Sequence, residues 1–158
     1  MSGDRFTRLV GDLAAATKKY DQEAADKVRV EEEETMRKRA NREIWNQRVN
    51  ELEAQIGHVN ESLVATRWQL GKEPRAQQSG ESWLASVRAE VRGEPQPRLK
   101  SYGSAVLGKD GNAHLHIIAP TGDRRGSRKL TLDELTGEAW RNWLLDLLEA
   151  HKAALDDD

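Results

Sequence analysis

Residues 45–63 read WNQRVNELEAQIGHVNESL, and this stretch decides how the first half of the chain folds. Its apolar side chains recur at alternating spacings of four and three residues, which is the 3.5-residue repeat of a left-handed coiled coil. The set consists of Trp45, Val49, Leu52, Ile56, Val59 and Leu63. The pattern predicts a helix whose apolar seam packs against a second helix, and we assign these six residues to formation of a homodimer.

The helix is predicted to extend beyond this seam in both directions. Asp4 is a suitable N-cap, no proline occurs in residues 5–73, and Gly71 supplies the residue that follows a helix. The sequence thus predicts one long coiled-coil helix over residues 1–71. The alternative is an antiparallel hairpin broken near Gly57, but no proline or second glycine accompanies that residue to form a turn.

A second apolar seam lies nearer the amino terminus. It consists of Phe6, Val10, Leu13, Thr17, Tyr20 and Ala24. Joining it to the later seam requires an extra step of four through Val28, a stutter at which a supercoil locally unwinds. Between the seams, acidic residues 31–34 precede basic residues 37–39, which is typical of a solvated helix face. We expect the later seam to be the stronger one and the earlier seam to serve the same partner or a different one.

The composition then changes. Residues 71–82 read GKEPRAQQSGES, so we place a linker at residues 72–80. Residues 81–158 are predicted to form a small α+β module with an antiparallel sheet, in the order helix, three strands, helix. The first of these helices is predicted over about residues 80–92, because its apolar residues recur at helical spacing, namely Trp83, Leu84, Val87 and Val91.

The sheet and the last helix follow from turn and capping signals. Strands are predicted at residues 98–107 and 113–119, joined by a hairpin turn that contains Asp110 and Gly111. A third strand is predicted at residues 128–132, after a polar loop. Two helix starts compete, because both the Thr131 to Glu134 capping box and Thr136 fit the N-terminal pattern. The apolar face that should cover the sheet consists of Trp140, Trp143, Leu144, Leu147, Leu148 and Leu155.

This order of elements, over roughly residues 80–155, is similar to that of a double-stranded RNA-binding domain. Such domains place lysines at the start of the last helix to hold phosphates, whereas this chain has Asp133, Glu134 and Glu138 there. We therefore assign no family from the resemblance.

Composition excludes several classes of function. Hydrophobic residues make up 37% of the chain and aromatic residues 5%, while 27 acidic and 25 basic residues give a net charge of -2. The balance favours an extended helix over disorder. There is no cysteine, the amino terminus does not resemble a signal peptide, and no apolar run approaches the ~20 residues that cross a membrane. We expect a cytoplasmic protein without membrane contact.

The remaining motifs favour binding over catalysis. Two interpretations of Trp140 and Trp143 remain open: packing of both in the core, which is favoured, or exposure of one that anchors a protein partner, for which both are candidates. The alternative is nucleic-acid binding through a basic loop formed by Arg124, Arg125, Arg128 and Lys129. His114 and His116 face one side of a strand, but alternation places them on the solvent side, without a third ligand nearby. We predict a non-enzymatic adaptor with no catalytic, cofactor or metal site.

Overall fold

The computed structural model describes residues 2–71, 77–79, 82–93, 101–119 and 124–156. Within these residues the fold is α+β, with a long amino-terminal helix, an antiparallel sheet and a carboxy-terminal helix, as predicted. The elements are α1 (Ser2–Ser62), β1 (Trp68–Leu70), β2 (Gln77–Ser79), β3 (Ser82–Val91), β4 (Tyr102–Leu107), β5 (Ala113–Ile118), β6 (Arg124–Leu130) and α2 (Gly137–Asp156). The strand order is β1-β3-β4-β5-β6, with β2 also pairing with β3.

The chain divides into two compact units, residues 1–40 and residues 41–158. The boundary falls inside α1, so the first unit consists of the amino-terminal two thirds of that helix. The second unit contains the rest of α1, the sheet and α2. The predicted division, with a helix at 1–71 and a separate module at 81–158, therefore differs from the observed units.

The seam from Trp45 to Leu63 packs within its own chain. Trp45 and Leu52 have no exposed surface, and Val49, Ile56 and Val59 are at most 7% exposed. They form one core cluster with the inner face of the sheet and with α2, against which Leu63 is partly buried. This corrects the predicted dimer seam, because the spacing marks a buried helix stripe without specifying what covers it.

Helix α1 ends at Ser62, earlier than predicted, because the next residues form a turn and then an edge strand. The Asn60 side chain links helix and strand: its Oδ1 accepts from Leu70 N at 2.8 Å, and its Nδ2 donates to Leu70 O at 3.2 Å. Leu70 is thereby held in the core at 1% exposure. Within the predicted linker at residues 72–80, residues 77–79 form β2. Residues 72–76 and 80 lie outside the described part of the chain.

The predicted helix over residues 80–92 is wrong, because the structure has the ten-residue strand β3 there. Residues 85, 87 and 89 are buried, while residues 86 and 88 are exposed, which is the period-2 pattern of a strand with one covered face. Backbone partners on both sides, β1 and β2 on one and β4 on the other, stabilise this conformation. The resemblance to a double-stranded RNA-binding domain fails with the helix.

The predicted hairpin is confirmed, with β4 and β5 paired over their full length and Gly111 at φ 79° in the turn. The third strand starts earlier than expected, at Arg124. Residues 98–100 of the first predicted strand and residues 121–123 of the predicted loop lie outside the described residues. Gly126, at φ 61°, forms a β-bulge with Ser127 opposite His116, which increases the local twist.

Of the two competing helix starts, the one at Thr136 begins α2, while the capping box at Thr131 forms a turn before it. In the capping box Thr131 N donates to Glu134 Oε1 at 3.1 Å, and Glu134 N donates to Thr131 Oγ1 at 3.2 Å. This pair closes a turn before the helix. The bond from Thr131 N to the Glu134 carboxylate, followed by a side-chain bond from Thr131, holds the pKa of Glu134 below its usual value. Thr136 Oγ1 then accepts from Ala139 N at 3.3 Å and caps α2. Helix α2 covers β3, β4 and β5, as predicted.

The core pairs bulky side chains of the helices with small residues of the sheet. Trp45, Trp140 and Trp143 are at most 1% exposed, with neighbouring ring centroids 6.4 and 5.4 Å apart. Small residues on the inner sheet face make room for them, namely Ala85, Ala89, Gly103, Ala105 and Ala113. Within the described residues none of the three indole Nε1 groups has a hydrogen-bond partner, so ring packing rather than hydrogen bonding drives their burial.

Candidate interaction surfaces

The first candidate surface is an apolar face on the amino-terminal part of α1. Every residue from Gly3 to Ala40 is exposed except Ala16, which is partly buried. The exposed side chains include large apolar ones that a folded protein usually buries. They are Phe6 (69%), Leu9 (52%), Val10 (48%), Leu13 (57%), Tyr20 (69%), Val28 (52%), Val30 (54%) and Met36 (68%).

We call Phe6, Leu9, Val10, Leu13, Thr17, Tyr20 and Ala24 together the N-terminal apolar face. All but Leu9 follow the alternating spacing of four and three residues, and Leu9 lies beside Val10 on the flank. Intrahelical interactions close to this face are weak and local, such as the bond from Thr17 Oγ1 to Leu13 O at 2.9 Å. The face is thus a regular helix surface whose apolar side chains the described structure leaves exposed.

The second candidate surface is the face of the sheet opposite α2, which we call the outer sheet face. Residues that pair directly across neighbouring antiparallel strands point to the same side. The register therefore arranges the outer side chains in three rows. The rows are Leu84, Val106, His114, Lys129; then Ser86, Ser104, His116, Ser127; then Arg88, Tyr102, Ile118, Arg124.

The central row is polar, and its hydrogen bonding centres on His116. The Nδ1 atom of His116 lies 2.9 Å from Ser127 Oγ, which the bulge at Gly126 brings opposite the histidine. Partial burial, the nearby charge of Arg124 and then that of His114 lower the pKa of His116. The imidazole is accordingly neutral at pH 7, in a locally positive environment.

Cations lie on both sides of the central row. Arg88 Nε is 2.9 Å from Glu90 Oε1, and Lys129 Nζ is 3.3 Å from Asp110 Oδ2. Arg124 is exposed, and no carboxylate of the described residues lies within ion-pair distance of it. The three cations thus flank the central row, with Arg88 on β3 and with Arg124 and Lys129 on β6.

Asp110 also lies beside the imidazole of His114, with Nε2 to Oδ2 at 3.3 Å. A backbone bond from Asn112, supported by His114 and Lys129, holds the pKa of the Asp110 carboxyl well below its usual value. Asp110 is thus ionised at neutral pH and organises the end of the hairpin. As predicted, His114 and His116 share the more exposed side of β5, opposite buried Leu115 and Ile117. In the described residues no three His, Cys, Asp or Glu side chains lie together as metal ligands would.

The predicted basic loop does not form one surface. Arg124 and Lys129 pair with Ile118 and His114, so they belong to the outer sheet face. Arg128 pairs with Leu115 and points to the other side, where its Nη2 lies 3.1 Å from Asp146 Oδ2 on α2. Arg125 is opposite Ile117 in the register. The four residues belong to strand β6, where the bulge at Gly126 places Arg128 on the side opposite to Arg124 and Lys129.

Both Trp140 and Trp143 are core residues, at 0% and 1% exposure, because each faces the small residues of the sheet or the ring of Trp45. This is the favoured of the two interpretations, and the alternative, an exposed tryptophan that anchors a partner, is wrong. The exposed apolar side chain of α2 is instead Leu145, at 42%. It lines an open groove of about 470 Å³ between α1 and α2.

One serine and one histidine lie together inside the fold. The Nδ1 atom of His151 is 2.9 Å from Ser101 Oγ, and the two residues are 1% and 0% exposed. The edge of Trp68 contacts the imidazole, with ring centroids 5.4 Å apart. Because both residues are buried, a substrate could not reach the Ser101 hydroxyl. The contact instead gives each of the two buried polar groups a hydrogen-bond partner.

Sequence reasoning missed Arg88 and Tyr102 as surface residues. Arg88 was assigned to a helix, so its position opposite Tyr102 could not be derived. In β4 Tyr102 is 39% exposed between buried neighbours. The sequence YGSAVL gives no polar alternation that would have shown this, because its buried side carries glycine and alanine.

No protein-family model, no curated protein and no solved structure matches the chain. In the described residues no helix is long and apolar enough to span a membrane.

Proposed function

We propose that the protein is a non-enzymatic assembly protein that joins two copies of itself through the N-terminal apolar face. The observation that carries the proposal is the exposure of large apolar side chains, 48–69%, along one regular face of α1. An exposed face of this kind is typical of a protein-protein interface. The later seam is occupied by the chain's own core, so it does not take part in the pairing.

The spacing of the face supports a helical partner. Alternating steps of four and three residues let the knobs of one helix enter the holes of another. Alanines at positions 14 and 16 flank the seam and allow close approach of the helix backbones. A single helix of this length without tertiary packing gains little from propensity alone, so pairing supplies most of its stability.

The charge of residues 3–40 supports a second copy as that partner. The segment contains nine acidic and nine basic residues, so two copies carry no net charge and do not repel. The ion pairs within it connect residues three or four apart, as between Lys38 and Glu34 at 3.7 Å. Each is exposed and contributes little by itself. Pairing through this segment gives an assembly that presents two sheet units to further partners.

The test is sedimentation velocity of the full chain. We expect a dimer, and we expect the double variant Val10→Glu/Leu13→Glu to be a monomer because two charges in each helix would be buried at the interface. The matched control, Ala15→Glu/Gln22→Glu, adds the same charge on the opposite face of the helix and should remain a dimer.

Circular dichroism of the same proteins provides a second measurement. The seam variant should lose helix signal as its amino-terminal segment loses its partner, while the control retains it. A monomeric parent chain, or a seam variant that dimerises as tightly as the control, would contradict the proposal.

A further inference from the structure

We propose that the outer sheet face binds single-stranded nucleic acid, with its cations contacting phosphates and Tyr102 stacking on a base. The site differs from the predicted basic loop, since it uses four strands and includes only two of that loop's four basic residues. It is also independent of self-association, since its residues belong to the sheet and not to the N-terminal apolar face.

The first step of the argument is the shape of the surface. The buried side chains of both helices belong to the core on the inner face of the sheet. On the outer sheet face, by contrast, each of the three rows includes exposed residues. Neighbouring strands lie ~4.8 Å apart, so the rows from β3 to β6 span ~14 Å. An open, four-strand surface of that width accommodates two or three splayed nucleotides.

The second step is charge. Arg88 and Arg124 lie at opposite ends of one row, and Lys129 ends another row on the same strand as Arg124. Glu90 and Asp110 pair with Arg88 and Lys129, but each of those cations remains more than half exposed. Burial, and then the charges of Arg124 and His114, lower the pKa of His116, so both charges act at the centre of the face. Phosphates are the ligands that such flanking cations favour.

The third step is the chemistry between the cations. Tyr102 is 39% exposed and lies between Arg88 and Ile118 in its row, so its ring is accessible for stacking. Ser86, Ser104 and the imidazole of His116 offer donors and acceptors to base edges or sugar hydroxyls. A flat aromatic ring, hydroxyls and peripheral cations together are the features with which sheets hold single strands. A duplex presents phosphates without accessible base faces, so it would leave the ring unused.

The test is fluorescence anisotropy of a labelled 15-nucleotide oligouridylate titrated with the full chain at several salt concentrations. We expect saturable binding whose affinity falls as salt rises, with a slope near two, since three phosphate contacts each contribute about 0.7 for a single strand. A labelled duplex of equal length should bind at least about fivefold more weakly.

Three variants distinguish the face from general electrostatics. Arg124→Gln should weaken binding about fivefold and reduce the salt slope. Tyr102→Leu should weaken binding about tenfold without changing the salt slope. Tyr102→Phe should bind as the parent chain does, because stacking requires only the ring. The control Arg128→Gln removes the same charge from the same strand on the inner side and should change affinity less than twofold.

Several results would overturn the proposal. One is the absence of saturable binding at about 50 mM salt, where phosphate contacts are strong. Another is an affinity for a labelled oligoglutamate equal to that for the oligouridylate. A third is an equal loss of affinity in Arg124→Gln and in Arg128→Gln. Thermal unfolding of each variant confirms that the fold is intact. Repeating the titration with Val10→Glu/Leu13→Glu separates this proposal from self-association, because the monomer should retain its site.

Discussion

Gly103 is a residue of the sheet against which the indole of Trp143 on α2 packs closely. A Cβ atom built there would lie 2.4 Å from Trp143 Cζ2 and 2.8 Å from Cη2. The glycine has no positive φ, so close packing and not backbone conformation explains it. Contact distances this short require the indole or the strand to move.

We predict that Gly103→Ala destabilises the protein by about 1–3 kcal/mol, the usual cost of overfilling a packed core. Gly57→Ala is the control, because a Cβ there meets nothing within 4 Å in a helix interior and should stabilise by about 0.5–1 kcal/mol. Urea unfolding of both variants measures the two changes. Equal stability of Gly103→Ala and the parent would show that α2 does not pack on β4 as described.

At the scale of the element, α1 contains two seams with the same spacing and different surroundings. The seam from Trp45 to Leu63 is buried in its own chain, and the N-terminal apolar face is exposed. Period alone does not distinguish a helix on a sheet from a helix in a coiled coil, because both bury one stripe. In β3 a strand has the apolar spacing of a helix. Ala85 and Ala89 are too small to mark a period-2 apolar face, while the larger side chains recur at helical spacing.

The side-chain sizes along the N-terminal apolar face favour antiparallel pairing. If residues whose numbers sum to 30 oppose each other, Phe6 meets Ala24, Tyr20 meets Val10, and Leu13 meets Thr17. Each layer then combines a larger with a smaller side chain, which fills the interface evenly. A parallel pair in register would place Phe6 on Phe6 and Ala24 on Ala24.

The chain has no cysteine, so engineered thiols test this orientation. We predict that Val10→Cys and Tyr20→Cys each fail to form a disulfide alone, and that their mixture forms a crosslinked dimer on oxidation. Denaturing electrophoresis without reductant measures the product. Efficient crosslinking of either single variant would indicate a parallel pair instead.

At the scale of the whole molecule, the core belongs to the second unit. Among the described residues, every buried member of the core cluster lies at position 45 or later, and part of α1 is among them. A fragment that begins after the helix would therefore lack Trp45, Leu52 and Ile56, whose burial covers the inner side. Truncating a single buried side chain costs about 2–5 kcal/mol, and native proteins are stable by only about 5–15 kcal/mol.

We predict that residues 41–158 fold cooperatively as a monomer and that residues 75–158 do not fold. Near-ultraviolet circular dichroism reports the packing of the buried tryptophans, and thermal unfolding reports cooperativity. A folded 75–158 fragment would contradict the role of α1 in the core. A dimeric 41–158 fragment would place the self-association surface outside the N-terminal apolar face.

The sequence by itself determined the helices at both ends, the stripe of α1 that is buried, the β4–β5 hairpin and both caps before α2. These features depend on residues near each other in the chain, through spacing, turn residues and capping hydroxyls. Only the tertiary structure decided that the chain's own sheet and α2 cover the stripe, that residues 82–91 form a strand, and that Arg88, Tyr102 and Arg124 share one face. Those outcomes depend on backbone pairing and packing between distant segments, which local patterns do not encode.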